Sequence, residues 1–306
     1  MIAFGKSASP DASATPTWTL HGPAFVTKMV DGHDGNVWYM DTYEHAYGRI
    51  TPSNFNVLTS PYPDPTQIGT AIAPNPDGNI YIATSNGSTC HIYKVHPDLT
   101  VVDLIAPYAC TYGADTMVSG YDQRLWLDDG SATITRITTV GVISTLTMPE
   151  QVDGIMRGNT TGRAMFIVGY YSGTLYRIAP DDSITSVVVG RIGPLATASD
   201  GYIWAAAGTI LNPDLVRIDD NLGVKVIALG RPRNGPFAIL PHKGTLIMPC
   251  GLYPDQQTIF RFNTTKEVSL HVWTDPAQEY LVDAIIAPDH NLWMTDSRYV
   301  YVGTLN

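Results

Sequence analysis

The sequence predicts an all-β fold, a seven-bladed β-propeller whose blades are four-stranded antiparallel sheets. The first observation is a sequence repeat that contains a tight turn, a strand with an aromatic residue, a loop and a further strand. It is clearest over residues 34–52. The second observation is that this repeat recurs about every 40 residues, which is the period of a propeller blade. The third is the lack of any long amphipathic helical pattern. Seven copies of the turn begin at Asp34, Asp77, Asp122, Gly162, Asp200, Lys243 and Asp289.

Each copy predicts the same elements in the same order. An innermost strand of small and apolar residues, such as 70–73, lines the central axis, where neighbouring blades crowd together. A turn such as the one at Gly35 and Asn36 follows, because Gly and Asn tolerate positive φ. The second strand carries an aromatic side chain that we expect to pack as core between neighbouring sheets. These aromatic residues are Trp38, Tyr81, Trp126, Phe166, Trp204 and Trp293.

The two ends of the chain are predicted to meet in one blade. The last copy, over residues 284–304, is one strand short of four, whereas a short strand over residues 16–20 precedes the first innermost strand. A seventh blade built from both segments would close the ring and leave no open edge between its ends. We therefore expect residues 1–14 to be a flexible lead and residues 15–306 to form a single propeller domain.

The composition argues against several classes of partner. The formal net charge is −10 and only 15% of the residues are charged, so the basic stripe that a nucleic acid requires is absent. No apolar run reaches the roughly 20 residues of a membrane span. The first residues lack the basic start and apolar centre of a signal peptide. A polar surface rich in Thr, Ser, Asn and Tyr favours an extracellular or virion-associated protein.

The three cysteines are Cys90, Cys110 and Cys250. Their spacing matches no zinc motif. Cys90 follows the second strand predicted for blade 2, and Cys110 follows the last strand of that blade, so both would lie in loops on the same face. A disulfide between these two residues and a pair of separate thiols both remain open.

Candidate functional residues gather on the face where the connections between blades meet the loops between second and third strands. Loops on a rigid scaffold commonly carry binding and catalytic groups. The carboxylates that follow second strands are Asp41, Asp129 and Asp296. The polar residues at the predicted starts of innermost strands are His21, Asp115, Asp153 and Asp283. The candidates in adjoining loops are Tyr43, Glu44, His45, Tyr112 and Arg298.

More than one chemical interpretation of this cluster stays open. Because blades 7 and 1 are neighbours, Asp41 and Asp296 would lie on one side of the mouth and could hold Mg²⁺ or Ca²⁺ through oxygen ligands. His21 next to a carboxylate could instead abstract a proton. The alternative is that carboxylates at strand ends only accept hydrogen bonds from backbone amides in turns.

The repeat resembles that of the virginiamycin B lyase (streptogramin lyase) family of seven-bladed propellers. The matching segments are the Asp-Gly-Asn turn at residues 34–36, with the aromatic strand that follows it, and the Gly-Arg-Ile-Thr-Pro segment at residues 48–52. This resemblance covers residues 16–306 and implies a Mg-dependent enzyme. In that family a His at the start of an innermost strand and a Glu after the second strand remove an α-proton and expel an ester oxygen as an alkene forms.

The residues that correspond to this pair differ from the family pattern. The best match is His21 with Asp41, and the last blade has Asp283 and Asp296 at the family's positions. Because the last blade offers neither the His nor the Glu, the lyase, or a related hydrolase of a cyclic ester or depsipeptide, is the second hypothesis.

The favoured hypothesis is a non-catalytic binding module that holds a glycan, a peptide or a protein partner on this face. Exposed tyrosine rings near the predicted loops could stack on sugar rings. These residues are Tyr43, Tyr62, Tyr108, Tyr112, Tyr170 and Tyr253.

Overall fold

The predicted fold class is confirmed by the computed structural model, which describes residues 17–21, 25–109, 113–158, 163–209, 212–229, 236–250, 258–274, 281–296 and 298–305. All regular elements in these ranges are β-strands, and they form seven four-stranded antiparallel sheets. None of the described residues belongs to a helix that could cross a membrane. The lead predicted over residues 1–14 lies outside the described ranges.

The strands follow one another blade by blade, after a first strand β1 (Trp18–His21). Blades 1 and 2 are β2 (Val26–Asp31), β3 (Val37–Asp41), β4 (Ala46–Thr51), β5 (Asn56–Pro61), and β6 (Ile68–Pro74), β7 (Ile80–Ser85), β8 (Thr89–Val95), β9 (Val101–Ala109). Blades 3 and 4 are β10 (Thr116–Ser119), β11 (Leu125–Asp128), β12 (Thr133–Ile137), β13 (Ile143–Thr147), and β14 (Val152–Arg157), β15 (Met165–Gly169), β16 (Thr174–Ile178), β17 (Ile184–Val188). Blades 5 and 6 are β18 (Ile192–Thr197), β19 (Ile203–Thr209), β20 (Asn212–Ile218), β21 (Val224–Ala228), and β22 (Leu240–His242), β23 (Thr245–Cys250), β24 (Thr258–Asn263), β25 (Val268–Thr274). The last segment supplies β26 (Asp283–Ile286), β27 (Leu292–Thr295) and β28 (Val300–Gly303).

The ring is closed by the N-terminal strand, as predicted. Strand β1 pairs antiparallel with β28, with Trp18 opposite Gly303 and His21 opposite Val300, and so completes blade 7 as its outermost strand. The Trp18 ring lies so close to Gly303 that a Cβ there would be 2.6 Å from it. The innermost strands contact one another around the full circle, in the order β2, β6, β10, β14, β18, β22, β26 and back to β2.

The core consists of hydrophobic clusters in the seams between blades. The aromatic residues predicted as core are all buried, with Trp38, Tyr81 and Trp293 at most 1% exposed. In four blades the indole Nε1 donates to the carboxylate of the turn residue four positions earlier, which explains the recurrent Asp-x-x-x-Trp spacing. These pairs are Trp38–Asp34 at 3.0 Å, Trp126–Asp122 at 3.1 Å, Trp204–Asp200 at 3.1 Å and Trp293–Asp289 at 3.2 Å.

The two faces of the ring differ in what they carry. The turn face holds the turns between first and second strands, where Gly35 and Gly78 adopt φ values of 76° and 82° that favour glycine. The loop face holds the connections between blades and the loops between second and third strands. In blades 1, 2, 4 and 5 the innermost strand has a register shift near its loop-face end, for example between Val26 and Lys28. Such a bulge re-aims side chains toward the mouth of the channel.

Two of the three cysteines lie in the described ranges. Cys90 is disulfide-bonded, whereas Cys250 is a free thiol whose burial raises its pKa. Cys110, the partner considered from the sequence, lies outside the described residues.

Candidate functional site

A lysine crosses the channel at the loop face. The Nζ atom of Lys28, in the bulged end of β2, donates to the carbonyl oxygens of Thr70 at 2.7 Å and Asp115 at 2.8 Å. These bonds tie the entrances of blades 1, 2 and 3 together. Burial lowers the pKa of Lys28, and the nearby charges of Asp283, Asp115 and Asp128 partly oppose that effect.

The carboxylate of Asp128 is the most buried acid near this lysine, with 1% exposure. Its Oδ1 accepts a hydrogen bond from the Gly130 amide at 3.1 Å, while its buried Oδ2 has no partner among the described residues. Burial raises the pKa of Asp128 to about 6, and the negative charges of Asp115 and Asp153 act in the same direction.

Asp283 stands on the other side of the mouth, at the start of β26. Its Oδ2 accepts from the Met29 amide at 2.6 Å, and its Oδ1 accepts from the Ala284 amide at 2.9 Å. Burial raises its pKa to about 6 although these bonds and Lys28 oppose that change. We use the name mouth cluster for the five charged residues at this entrance, which are Lys28, Asp115, Asp128, Asp153 and Asp283.

The pair assigned to a metal has a structural role in both blades. Asp41 is 5% exposed, and its Oδ1 accepts from the Tyr43 and Glu44 amides at 3.0 and 2.8 Å. Asp296 is 3% exposed, and its Oδ1 accepts in the same way from Arg298 and Tyr299 at 2.9 and 2.8 Å.

Among the residues that the structure describes, this pair therefore does not fit the Mg²⁺ that the family resemblance implies. The second oxygen of Asp296 accepts from the Tyr301 hydroxyl at 2.6 Å. No group of three His, Cys, Asp or Glu side chains in the described ranges is arranged to hold a metal ion. Each carboxylate instead fixes the turn that follows its strand.

The predicted placement of His21 at the start of an innermost strand is wrong. His21 is the last residue of the outermost strand β1, and the innermost strand β2 begins only at Val26. Its ring stacks on Phe55 of blade 1 with centroids 3.5 Å apart, and its buried Nε2 has no partner in the described ranges. Burial lowers the pKa of His21. It packs in the seam between blades 7 and 1 because the N-terminal strand closes the ring from outside.

The loop after β3 presents the blade 1 candidates. Tyr43 is 69% exposed and its ring packs on Phe25 at 4.5 Å, and Glu44 is exposed beside it. His45 adopts a φ of 51° and its Nδ1 donates to the Gln67 carbonyl at 2.8 Å. The structure therefore leaves Tyr43 and Glu44 available on the loop face and uses His45 to anchor the loop.

The remaining candidates are spread around the rim of the mouth. Asp129 is exposed and accepts from the Ser131 amide at 3.1 Å, and Arg298 is exposed on blade 7. Asp115 is exposed beside Gly130, where a Cβ would be 3.2 Å from its Oδ2. Tyr112 and Tyr253 lie outside the described residues.

The expected exposure of Tyr62 is also wrong, since it is 2% exposed. Its ring packs with Tyr47 and Tyr93, at 5.7 and 6.4 Å between centroids, and Gly69 provides the space for its hydroxyl. By contrast, Tyr108 and Tyr170 are exposed as expected, at 37% and 54%.

A pocket of about 500 Å³ opens on the loop face above blades 4 and 5. We call it the tyrosine pocket; its polar wall residues are Asp153, Tyr170, Tyr171, Ser172 and Arg191. The rings of Tyr170 and Tyr171 meet edge to face, with centroids 4.7 Å apart, and Tyr171 is 77% exposed. The side chains of Asp153, Tyr170, Tyr171 and Arg191 make no hydrogen bond to other described residues, so their polar groups are available to a ligand.

Glu150 holds the loop that shapes this pocket. Its carboxylate accepts from the amide and hydroxyl of Ser172 and, at 2.8 Å, from the Tyr176 hydroxyl. These bonds lower the pKa of Glu150 although burial opposes them. The two tyrosines therefore stand on a loop that is already fixed.

Sequence reasoning missed Tyr171 of the tyrosine pocket and three charged residues of these sites. Lys28 had a signal, because it is a charged residue inside an innermost strand that otherwise favours small and apolar residues. Asp128 was overlooked next to Asp129, which has the spacing of Asp41 but is exposed. Arg191 lies just before blade 5, and no sequence pattern marks it as a site residue. It lies beside the loop of blade 4 only because the two blades pack together in the propeller.

In fold, the chain is similar to known propellers. A streptogramin B lyase structure gives a TM-score of 0.80 at 14% identity and covers 95% of this chain and 98% of that one. Virginiamycin B lyase from Staphylococcus aureus gives 0.78 at 14% identity, covering 95% and 100%. The WD40 propeller domain of Doa1 gives 0.71 at 10% identity, covering 96% and 97%. No protein-family model and no curated protein matches the sequence. At these identities the likeness establishes the shared propeller fold that the repeat predicted.

Proposed function

We propose that this protein is a non-catalytic binding module that holds a carbohydrate in the tyrosine pocket of its loop face. The observation that carries the proposal is the edge-to-face pair of exposed rings, Tyr170 and Tyr171, beside a carboxylate and a guanidinium with free hydrogen-bonding capacity. Similar folds include WD40 propellers as well as lyases. The fold alone therefore does not distinguish a binding module from an enzyme.

The walls of the pocket suit a sugar ring better than an apolar ligand. An aromatic ring offers an apolar face to sugar C–H groups and a polar hydroxyl at its edge. Asp153 accepts and Arg191 donates hydrogen bonds, which matches the donors and acceptors of neighbouring sugar hydroxyls. The pocket volume of about 500 Å³ accommodates one or two sugar rings.

An extracellular or virion-associated location is part of this proposal. Disulfides persist mainly in oxidising environments, and Cys90 is disulfide-bonded. The low charged fraction of 15% and the net charge of −10 are consistent with a displayed protein that does not bind nucleic acid.

The test is a binding screen against a panel of neutral, acidic and amino-sugar oligosaccharides, followed by calorimetric titration of the best binder. Tyr170→Ala and Tyr171→Ala are each expected to weaken binding by about tenfold or more, because each removes a stacking face. Tyr43→Ala is the matched control, since Tyr43 is similarly exposed on the loop face of blade 1. The proposal fails if no oligosaccharide binds, or if Tyr170→Ala and Tyr171→Ala both bind like the wild type.

The mouth cluster favours a lyase as the second candidate. Asp128 and Asp283 have pKa values raised to about 6 and stand near Lys28, so they can exchange protons near neutral pH. A similar fold, at a TM-score of 0.76, is that of a catalytically inactive virginiamycin B lyase crystallised with quinupristin. Quinupristin is therefore the probe: ring opening by the wild type that is lost in Asp128→Asn would support this candidate, and an intact ring after prolonged incubation would eliminate it for this class of substrate.

A further inference from the structure

The basic residue of the third strand changes its partner around the ring. In blade 1 Arg49 pairs with Asp34 in the turn of its own blade, at 3.2 Å, and blade 2 repeats this arrangement. In blade 3 Arg136 instead crosses to Asp182 of blade 4. Asp122, which corresponds to Asp34, therefore loses this ion-pair partner.

A cleft opens beside this crossing, on the turn face between blades 3 and 4. Its volume is about 330 Å³. We call it the arginine cleft. Its apolar floor is formed by Trp126, Met165 and Ile178, and its basic walls are formed by Arg124, Arg136 and Arg163. The Arg136 guanidinium lies over the Trp126 ring at 5.2 Å from the centroid, so this arginine is fixed on both sides.

The cleft has more hydrogen-bond donors than its own acidic residues use. Arg124 reaches Asp122 only at 3.7 Å, and both side chains are more than a third exposed, so this ion pair is weak. Arg163 forms no hydrogen bond or ion pair with the residues that the structure describes. Three guanidinium groups thus face two carboxylates, in a chain whose net charge is −10.

We propose that the arginine cleft binds a small organic anion, a carboxylate attached to an apolar ring, between Arg124 and Arg163. Guanidinium groups pair with carboxylates through parallel N–H donors, and this geometry favours a planar anion. Trp126, Met165 and Ile178 are at most 4% exposed, so the ring of the ligand would lie over a nearly closed apolar base. The volume of about 330 Å³ falls within the range of small-molecule sites. The site lies on the face opposite the tyrosine pocket and does not depend on the carbohydrate proposal.

The test uses benzoate as the probe and benzamide as its neutral counterpart, in ligand-observed NMR titrations at constant ionic strength. Arg163→Gln is the principal variant. Gln occupies the same turn position in blade 3, where Gln123 has a φ of 63° against 48° for Arg163, so the backbone conformation is retained. Arg124→Gln is the second variant, and the exposed Lys266→Gln is the charge-matched control.

Wild-type protein and Lys266→Gln are expected to bind benzoate alike and to prefer it to benzamide. Each arginine variant is expected to weaken benzoate binding by about tenfold or more, since each loses charge-assisted hydrogen bonds. The proposal is overturned if benzoate does not bind, if benzamide binds equally well, or if both arginine variants bind like the wild type. Loss of binding only in Arg191→Gln would place the anion in the tyrosine pocket and would also overturn it.

Discussion

The ammonium group of Lys28 donates a hydrogen bond to the backbone carbonyl of Asp115 across the channel mouth, at 2.8 Å and 87 residues apart in sequence. Together with the bond to Thr70, this contact joins three innermost strands that share no sheet. It stabilises the entrance where the mouth cluster gathers, and it makes the stability of the ring sensitive to a single side chain.

Lys28→Met is expected to lower the free energy of unfolding by about 2 kcal/mol, because two carbonyls at the channel mouth lose a charged donor. Chemical denaturation of both proteins at neutral pH measures this change. Lys266→Met, which removes an exposed lysine from a turn of blade 6, should stay within about 0.5 kcal/mol of the wild type. Equal stability of the two variants would show that the cross-channel bonds contribute nothing.

The buried carboxylate of Asp128 predicts a pH-dependent stability. Its folded pKa of about 6 lies above its ordinary value, so the folded state binds the proton more tightly, and this contribution to stability is lost as the pH rises from about 4 to about 6. Asp128→Asn keeps the acceptor for Gly130 and removes the charge. The variant should be more stable than the wild type by about 2 kcal/mol at pH 8 and no more stable at pH 4.

Unfolding curves for Asp128→Asn and the wild type across this pH range test the prediction. Asp129→Asn removes an exposed neighbouring carboxylate and is the control, for which no such gain at high pH is expected. A difference between Asp128→Asn and the wild type that is the same at pH 4 and pH 8 would contradict the assignment.

Ring closure depends on the contact between Trp18 and Gly303. Trp18→Ala is expected to cost about 2–3 kcal/mol, because its ring covers the C-terminal strand and packs against the core of blade 7. Leu20→Ala changes a residue of the same strand that is 56% exposed and should cost less than about 0.5 kcal/mol. Thermal unfolding distinguishes them, and equal melting temperatures would mean that the side chains of β1 do not contribute to closure.

The roles of Asp41 and Asp296 can be separated from metal binding. If both carboxylates fix turns, Asp41→Asn should keep the wild-type melting temperature, because the Asn oxygen can accept the same amide bonds, whereas each Ala variant should lose about 1 kcal/mol. In Asp296→Asn the turn amides keep their acceptor, but the Tyr301 hydroxyl must accept from the Asn amide instead of donating, so a small loss of stability is expected. Addition of Mg²⁺ or Ca²⁺ should leave the wild-type melting temperature unchanged. A metal-dependent rise that disappears in the Asp41→Asn, Asp296→Asn double variant would restore the metal site.

The sequence by itself determined the architecture of this protein. The repeated turn and the aromatic at Trp38, Trp126 and Trp293 are local patterns, and local patterns fix the strands, the turns and the buried face of each blade. The closure of blade 7 by the N-terminal strand also followed from the sequence. The last repeat contains only three strands, and the extra strand before the first repeat supplies the fourth.

Only the tertiary structure decided which polar side chains meet. Lys28 reaches Asp115, His21 packs on Phe55, and Arg191 stands beside Tyr171 because the closed ring brings residues of different blades together. A one-residue bulge changes the face on which a side chain lies, and no period in the sequence marks such a bulge. The fold depends on contacts within a blade, which the repeat encodes; the candidate sites depend on contacts between blades, which arise only when the ring closes.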